Sequence, residues 1–422
     1  MSKPSIRRSI LTLVTGAVLS QAATVLAMPI LARIYGPPEF GMYALFVSIT
    51  TVLCVGATFQ YELSIVLPRS AREGAALVGL GMRLLLVSSL VMTVIGVALA
   101  ASLTGLSDGV RVLLVLGGLE VFLLASSRIL GYWLTRNRSF RQLSRNRFIQ
   151  ALVSAIAQII VGYLGVTSSV GLAMGLMLGQ AAALVLLVVS DTSSRLRKES
   201  GTHHRWSYLL RKYWKQPALN APQALVDSVR VNGINLVIGA VSMSALGQYS
   251  QAFRLVQVPA GLVGSAVSQV YFPDMAAAPR RDLPRLIRSS VLRSLALGFV
   301  PFALIWLLSP WFFPWFLGEE WADAGHFAQA LTPWLYLNLA TSPVATVFVI
   351  LGKQHIGLPF AVVYALVPIT VLWSLRDDLF VAVVVMSLAQ TFLLLVNLAL
   401  VFWLARDAAT RAPRTLDVAT DS

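Results

Sequence analysis

Apolar runs of about twenty residues or more follow one another along nearly the whole 422-residue chain, separated by short connections that hold most of its charge. A helix needs about 20 mostly apolar residues to cross the hydrocarbon core of a bilayer, where nothing solvates an unpaired backbone group. On that measure spans are expected near 10–34, 41–67, 74–103, 110–134, 148–166 and 170–190, then near 218–241, 245–272, 289–317, 324–351, 357–375 and 379–405. Composition agrees, since 57% of the residues are hydrophobic and 12% charged, whereas a soluble domain carries about 25% charged residues. The chain therefore reads as an all-α integral membrane protein with about twelve transmembrane helices. Its first apolar run follows Lys3, Arg7 and Arg8 and continues to about Ile34. That is longer than the apolar core of a signal peptide, so it reads as an uncleaved first span despite the permissive Val25-Leu26-Ala27 site.

The charges sort the connections into two sides. Basic residues cluster at the N-terminus, at 69–72, 136–147, 195–215 and 280–293, at Lys353 and in the tail, on every second connection. The opposite side carries only Arg33, Arg111 and Arg376 beside the acidic residues Glu319, Glu320, Asp323, Asp377 and Asp378. Short cytoplasmic loops are rich in Lys and Arg, so both termini are expected in the cytoplasm. The net charge of +15 thus reflects topology. A nucleic-acid partner would need a basic solvated face with base-reading elements, and none is expected. The single cysteine, Cys54, excludes an intramolecular disulfide.

Six spans fall on each side of a polar connector. The expected organisation is a first lobe at 1–190, a basic cytoplasmic connector at 191–217, a second lobe at 218–405 and a cytoplasmic tail at 406–422. A shift of 206 residues lays FGMY (Phe40 to Tyr43) on LGQY (Leu246 to Tyr249) at the start of the second span of each half. An even number of spans per half gives both the same orientation, the parallel repeat used by some transporters with substrate sites near mid-membrane.

Four arginines, Arg83, Arg128, Arg230 and Arg254, and three carboxylates, Glu62, Glu120 and Asp227, fall inside the expected spans. An arginine at mid-membrane costs about 2.5 to 3.5 kcal/mol on insertion scales and usually faces a cavity or a partner. Asp227 and Arg230 are three apart and share a helix face. Arg83, Arg230 and Arg254 come to similar depth. Two readings stay open for them: counter-ion and snorkelling roles, or a cationic cavity whose guanidinium forks grip a diphosphate. Glu120 is mid-span, as a protonatable site, a partner of Arg83 or a packed neutral acid. Glu62 and Arg128 lie nearer the cytoplasmic interface, where structural anchoring is the stronger reading. Asp227 and Glu120 are the carboxylates best placed for ion coupling.

Other features favour packing. LARIYGPPEFGMYALF (Leu31 to Phe46) reads as the first outer hairpin, with Pro37 and Pro38 stopping the first helix and Gly41 allowing close approach. Arg33 there either pairs with Glu39 or meets exported anionic substrate. Gly171, Gly175 and Gly179 form a small-residue seam. Trp306, Trp311, Trp315, Trp321 and Trp334 read as interfacial aromatics. No P-loop occurs, and the adjacent His203 and His204 lack metal-site spacing. No catalytic residue, metal or cofactor is expected.

The words LARIYGPPEFGMYALF, YELSIVLP (Tyr61 to Pro68) and ALGQYSQAFRLVQVPAGLVGSAVSQVYFP (Ala245 to Pro273) resemble the polysaccharide-transporter branch, the Wzx-type oligosaccharide flippases, of the multidrug/oligosaccharidyl-lipid/polysaccharide (MOP) flippase superfamily. The resemblance implies two six-helix lobes in a V, a MATE-like fold. It also implies movement of undecaprenyl-diphosphate-linked oligosaccharide across the bacterial inner membrane by alternating access, for O-antigen, exopolysaccharide or capsule biosynthesis. On that reading Arg230, Arg254, Arg83 and Arg33 are candidate substrate contacts, and Asp227 and Glu120 candidate sites for H+ or Na+. A glycan polymerase and chain-length regulator proteins are candidate partners. Two alternatives fit the sequence less well. A MATE-type drug/cation antiporter is disfavoured by the excess of in-span arginines over carboxylates. A membrane glycan polymerase or glycosyltransferase is disfavoured by the small outer loops.

Overall fold

The computed structural model describes residues 6–189, 196, 206–341, 344, 347–351 and 353–410. Lys3, the side chains of Arg7 and Arg8, the connector residues Arg195, Arg197, Lys198, His203, His204 and Arg205, and Arg411 and Arg414 lie outside them. Among the described residues there are helices and no strands. In chain order these are α1 (Ile6–Ile34), α2 (Pro37–Ala57), a 3-10 segment (Tyr61–Val66), α3 (Ala71–Ser102), α4 (Asp108–Arg136), α5 (Phe140–Tyr163) and α6 (Ser169–Val189). There follow α7 (Trp206–Lys212), α8 (Lys215–Val241), α9 (Met243–Ala277), α10 (Leu283–Leu317), a second 3-10 turn (Glu319–Trp321), α11 (Ala322–Thr341), α12 (Val347–Ile350), α13 (Gln354–Ser374) and α14 (Leu379–Thr410).

Every expected span falls on a helix. By length and composition, α2, α3, α4, α6, α8, α10, α14 and the part of α1 from Val14 are apolar enough to cross a membrane. The spans expected on α5, α9, α11 and α13 are helical but carry polar residues or only a short apolar run. One boundary differs from the hydropathy reading: the run 41–67 breaks at Ala57. At that break Phe59 and Gln60 adopt left-handed backbone, with φ of 48° and 58°, a conformation L-residues avoid. A hydropathy window carries the run past this break, because the apolar Leu63, Ile65, Val66 and Leu67 follow the polar Gln60 and Glu62.

Contacts divide the chain into two compact units, residues 1–250 with 314–321, and residues 251–313 with 322–422. In the first unit, only Tyr35 and Gly36 separate α1 from α2, and Pro37 opens the new helix where its missing N–H is harmless. Glu39 does not pair with Arg33; its carboxylate accepts from the backbone N–H of Ser169 at the start of α6, where exposed donors and the helix dipole favour an anion. The indole of Trp321 donates to the carbonyl of Ala32 at 3.1 Å and packs edge-on against Phe40. It is fully buried, and Trp334 nearly so, donating to the Tyr364 hydroxyl at 2.8 Å. Those two tryptophans are core residues; Trp306, Trp311 and Trp315 are exposed on α10.

The two repeat words meet each other. A Cβ on Gly41 would run into the carbonyl oxygen of Met243, and a Cβ on Gly247 into the carbonyl oxygen of Pro37. The N-terminal turns of α2 and α9 therefore cross backbone to backbone at reciprocal glycines 206 residues apart in sequence. Nearby, Gln248 donates to the Glu320 carbonyl at 2.6 Å and Asn235 to the Ser48 hydroxyl at 2.9 Å.

The small-residue seam behaves as packing. Cβ atoms on Gly175 and Gly179 would strike Gln158 and Ser154 of α5. The close approach lets Gln158 donate to the Leu172 carbonyl at 2.9 Å and Ser154 to the Leu176 carbonyl at 3.3 Å. In the second unit, α11 lies against α14 and α10; Tyr336 donates to the Leu295 carbonyl at 2.9 Å and Gln390 to the Tyr364 carbonyl at 3.2 Å.

Arg136, at the end of α4, holds the first 3-10 segment by donating to the carbonyls of Ile65 and Ser70, each at 2.9 Å. Hydrogen bonds from a charged donor contribute roughly 1.5 to 3 kcal/mol, less when partly solvated. Arg136→Ala is expected to lower stability by about 2 kcal/mol in thermal unfolding of the detergent-purified protein. Arg136→Lys, which keeps the charge but loses the fork, should recover only part; an alanine variant as stable as wild type would show the clamp to be idle.

Candidate functional site

The break after α2 turns polar side chains inward. The 3-10 segment, α4 and α5 enclose a cavity of about 510 Å³ lined by Gln60, Glu62, Arg128, Asn146, Arg147 and Gln150, among others. Pockets of this size hold small ligands. Glu62 is only 3% exposed. Its Oε2, the Oδ1 of Asn146 and the Oγ of Ser127 are buried without a hydrogen-bond partner, and the charge of Arg128 reaches Glu62. Unpartnered buried polar atoms are costly and call for an explanation. A bound polar molecule would supply one.

Two guanidinium groups favour phosphate oxygens, which they can grip with paired N–H donors. The amides and the carboxylate suit hydroxyl groups, accepting and donating as a sugar requires. The set is equipped to bind an anion carrying hydroxyl-rich groups.

The residues singled out from sequence are placed as follows. Arg230 is half-buried on α8, with its Nε 3.6 Å from Asp227 Oδ1, so the expected pairing forms. Arg254 is exposed on α9, in the second unit. Arg33 is exposed at the end of α1. Glu120 is 1% exposed and faces α6, where Gln180 donates to its Oε1 at 2.8 Å; its Oε2 has no partner.

Arg83 is exposed, with its guanidinium stacked 3.9 Å above the ring of Trp206 on α7. That short helix docks the end of the connector against the first unit. Leu209 inserts fully into the core beside Leu77 and Leu80. Lys212 donates to Glu73 at 2.5 Å and the Tyr213 hydroxyl to the same oxygen at 3.2 Å. The Glu73 carboxylate holds the Lys212 ammonium above the ordinary lysine range.

Gln60, Asn146, Arg147 and Gln150 were missed as site residues. A usable signal exists for α5: Asn146, Gln150, Ser154 and Gln158 recur every fourth residue, one polar stripe that runs from the basic start of the helix into its apolar half. Ser154 and Gln158 spend their polarity on α6, whereas Asn146 and Gln150 face the cavity.

Residues 30–326 match the model of a family described as polysaccharide biosynthesis protein. No curated protein sequence matches the chain. Among solved structures, the chain is similar to the lipid II flippase MurJ in an inward closed conformation, with a TM-score of 0.73 at 13% identity over 95% of this chain and 91% of that one. A multidrug resistance MATE family transporter of the MOP superfamily, inward-facing, gives a TM-score of 0.65 at 13% identity over 95% and 96%. A Vibrio cholerae MATE transporter, VcmN, gives 0.61 at 11% identity over 97% of each chain. At such identities the likeness is one of fold.

Proposed function

Because the chain belongs to the polysaccharide biosynthesis protein family and shares the fold of MOP flippases, we propose that it moves polyprenyl-diphosphate-linked oligosaccharide across the bacterial cytoplasmic membrane. The glycan is destined for O-antigen, exopolysaccharide or capsule, and movement is by alternating access with both termini cytoplasmic. The observation that carries the reading is the polar cavity in the first unit, which Glu62, Arg128 and Arg147 line together. On the positive-inside reading, the basic α4–α5 connection puts that cavity toward the cytoplasm, where the lipid-linked unit is assembled. The lipid diphosphate meets the guanidinium groups, and the first sugars meet the amides and Glu62.

An organic-cation antiporter fits less well, since the cavity holds two arginines against one carboxylate. Arg230 and Arg254 are further proposed diphosphate contacts, and Asp227 and Glu120 proposed sites for a coupling H+ or Na+. Alanine at Arg230 or at Arg254 should each reduce surface glycan at least tenfold with the protein inserted at wild-type level; normal export in both variants removes them from the pathway.

The proposal is tested in vesicles reconstituted with the purified chain and a fluorescent polyprenyl-diphosphate oligosaccharide. Label should become accessible to a membrane-impermeant quencher faster than in empty vesicles, and an organic-cation substrate should not be transported. Quenching at the empty-vesicle rate, or cation transport instead, contradicts it.

A further inference from the structure

The charges around Glu62 balance differently in an empty and in a loaded chamber. Empty, the cavity lined by Glu62, Arg128 and Arg147 holds two positive charges and one negative. A diphosphate joined to a lipid at one end and to a sugar at the other brings one negative charge on each phosphate. Loaded, the chamber holds one negative charge too many for as long as Glu62 stays ionised.

Nowhere in the chamber does the ligand escape that charge. A volume of 510 Å³ is that of a sphere about 10 Å across. The Debye length is about 8 Å at physiological ionic strength, and buried groups are screened less. Glu62 is 3% exposed, on the 3-10 segment that Arg136 clamps, so water does not shield it.

The neighbouring charges are engaged elsewhere or exposed. Of the helices packed against the 3-10 segment, α4 supplies Arg128, whose charge reaches Glu62, and Glu120, which takes its donor from Gln180. On α3, Glu73 is held by Lys212, Arg83 stacks on Trp206 and Arg72 is exposed. On α8, Asp227 pairs with Arg230 and Lys215 is exposed. Cys54 of α2 and Tyr132 of α4 lie within reach of Glu62, and such groups are neutral near pH 7.

Burial disfavours the charge of a carboxylate, and an anion beside it disfavours that charge further. Once protonated, the group can donate from its unpartnered Oε2 while the other oxygen still accepts. A sugar hydroxyl uses both.

We propose that Glu62 binds the lipid-linked diphosphate as a neutral acid, taking up one proton from solution as the ligand enters and returning it when the ligand leaves. This rests on the flippase reading above and gives its cavity a linked proton, separate from the coupling sites proposed at Asp227 and Glu120.

The test is titration calorimetry of the full chain in nanodiscs, with a short-chain polyprenyl diphosphate carrying one hexose as ligand. Each phosphate of this ligand is bonded on two sides and lacks the second ionisation of a phosphate monoester, near pH 6, so the ligand itself brings no proton change. Binding heats in two phosphate-free buffers of different ionisation enthalpy give the proton count. Wild type should take up about one proton per ligand between about pH 6 and 7, with affinity falling up to tenfold per unit as pH rises. Glu62→Gln imitates the neutral acid; it should bind within about threefold of wild type at pH 6, with no proton uptake and no pH dependence. Glu62→Met serves for the proton count if that variant does not fold. Binding without uptake in wild type, or equal uptake in the variant, overturns the assignment and leaves the cavity as the ligand site. Absence of binding to the wild-type chain overturns both.

Discussion

Alanine at either Gly41 or Gly247 is expected to destabilise the protein by about 3 kcal/mol, and alanine at both by clearly less than the sum. Adding a methyl group to a packed interface typically costs about 1 to 3 kcal/mol. Here the obstacle on each side is a backbone carbonyl, of Met243 or of Pro37, which cannot rotate away as a side chain can. Relief requires the first turns of α2 and α9 to separate, and separation for one methyl makes room for the other. Such shared relief appears as a coupling of roughly 0.5 to 3 kcal/mol in a double-mutant cycle. Thermal or denaturant unfolding of the four detergent-purified proteins measures it. Strictly additive costs would show that the two glycines do not share one crossing.

Arg128→Ala should lower transport about 100-fold, the loss expected when two charge-assisted hydrogen bonds to a diphosphate disappear. It should also lower stability, because the buried Glu62 loses the guanidinium whose charge reaches it. The two effects separate in the double variant carrying Glu62→Gln as well. Neutralising Glu62 removes the stranded charge, so stability should return toward wild type while transport stays low. If Arg128 were only the counter-ion of Glu62, transport would return together with stability. Arg128→Lys offers a compact charge without the planar fork and is expected to restore a minor part of the rate.

The helical spans, the basic connections and the first hairpin were legible in the sequence because hydropathy and proline act locally. The ending of α2 at Ala57 was not, since Phe59 and Gln60 turn the chain by backbone conformation and the apolar Leu63 to Leu67 resume just beyond. Position in the hydropathy profile alone makes Glu62 and Arg128 anchors near the interface. Only the 3-10 turn, clamped by Arg136, brings Glu62 into a chamber with Arg128 and Arg147. The pairing of Asp227 with Arg230 follows from their spacing alone and is observed. The stacking of Arg83 on Trp206 joins residues far apart in the chain, and no local pattern announces it. Glu39 shows the same limit: an arginine six residues away looked like its partner, but the start of α6 takes the carboxylate. The match between FGMY and LGQY was a faint signal of repetition, and the crossing of Gly41 with Gly247 gives those two glycines a physical reason to stand where they do.

The central claim, export of a lipid-linked oligosaccharide, is tested most directly by asking which lipid-linked unit accumulates, and on which leaflet, when the chain is removed from its cell. Completed units held on the cytoplasmic leaflet and released by re-expressing the wild-type chain, but not the Arg128→Ala variant, are the predicted result. Single units already on the outer leaflet would place the chain after export, as a polymerase would be, and would contradict the account.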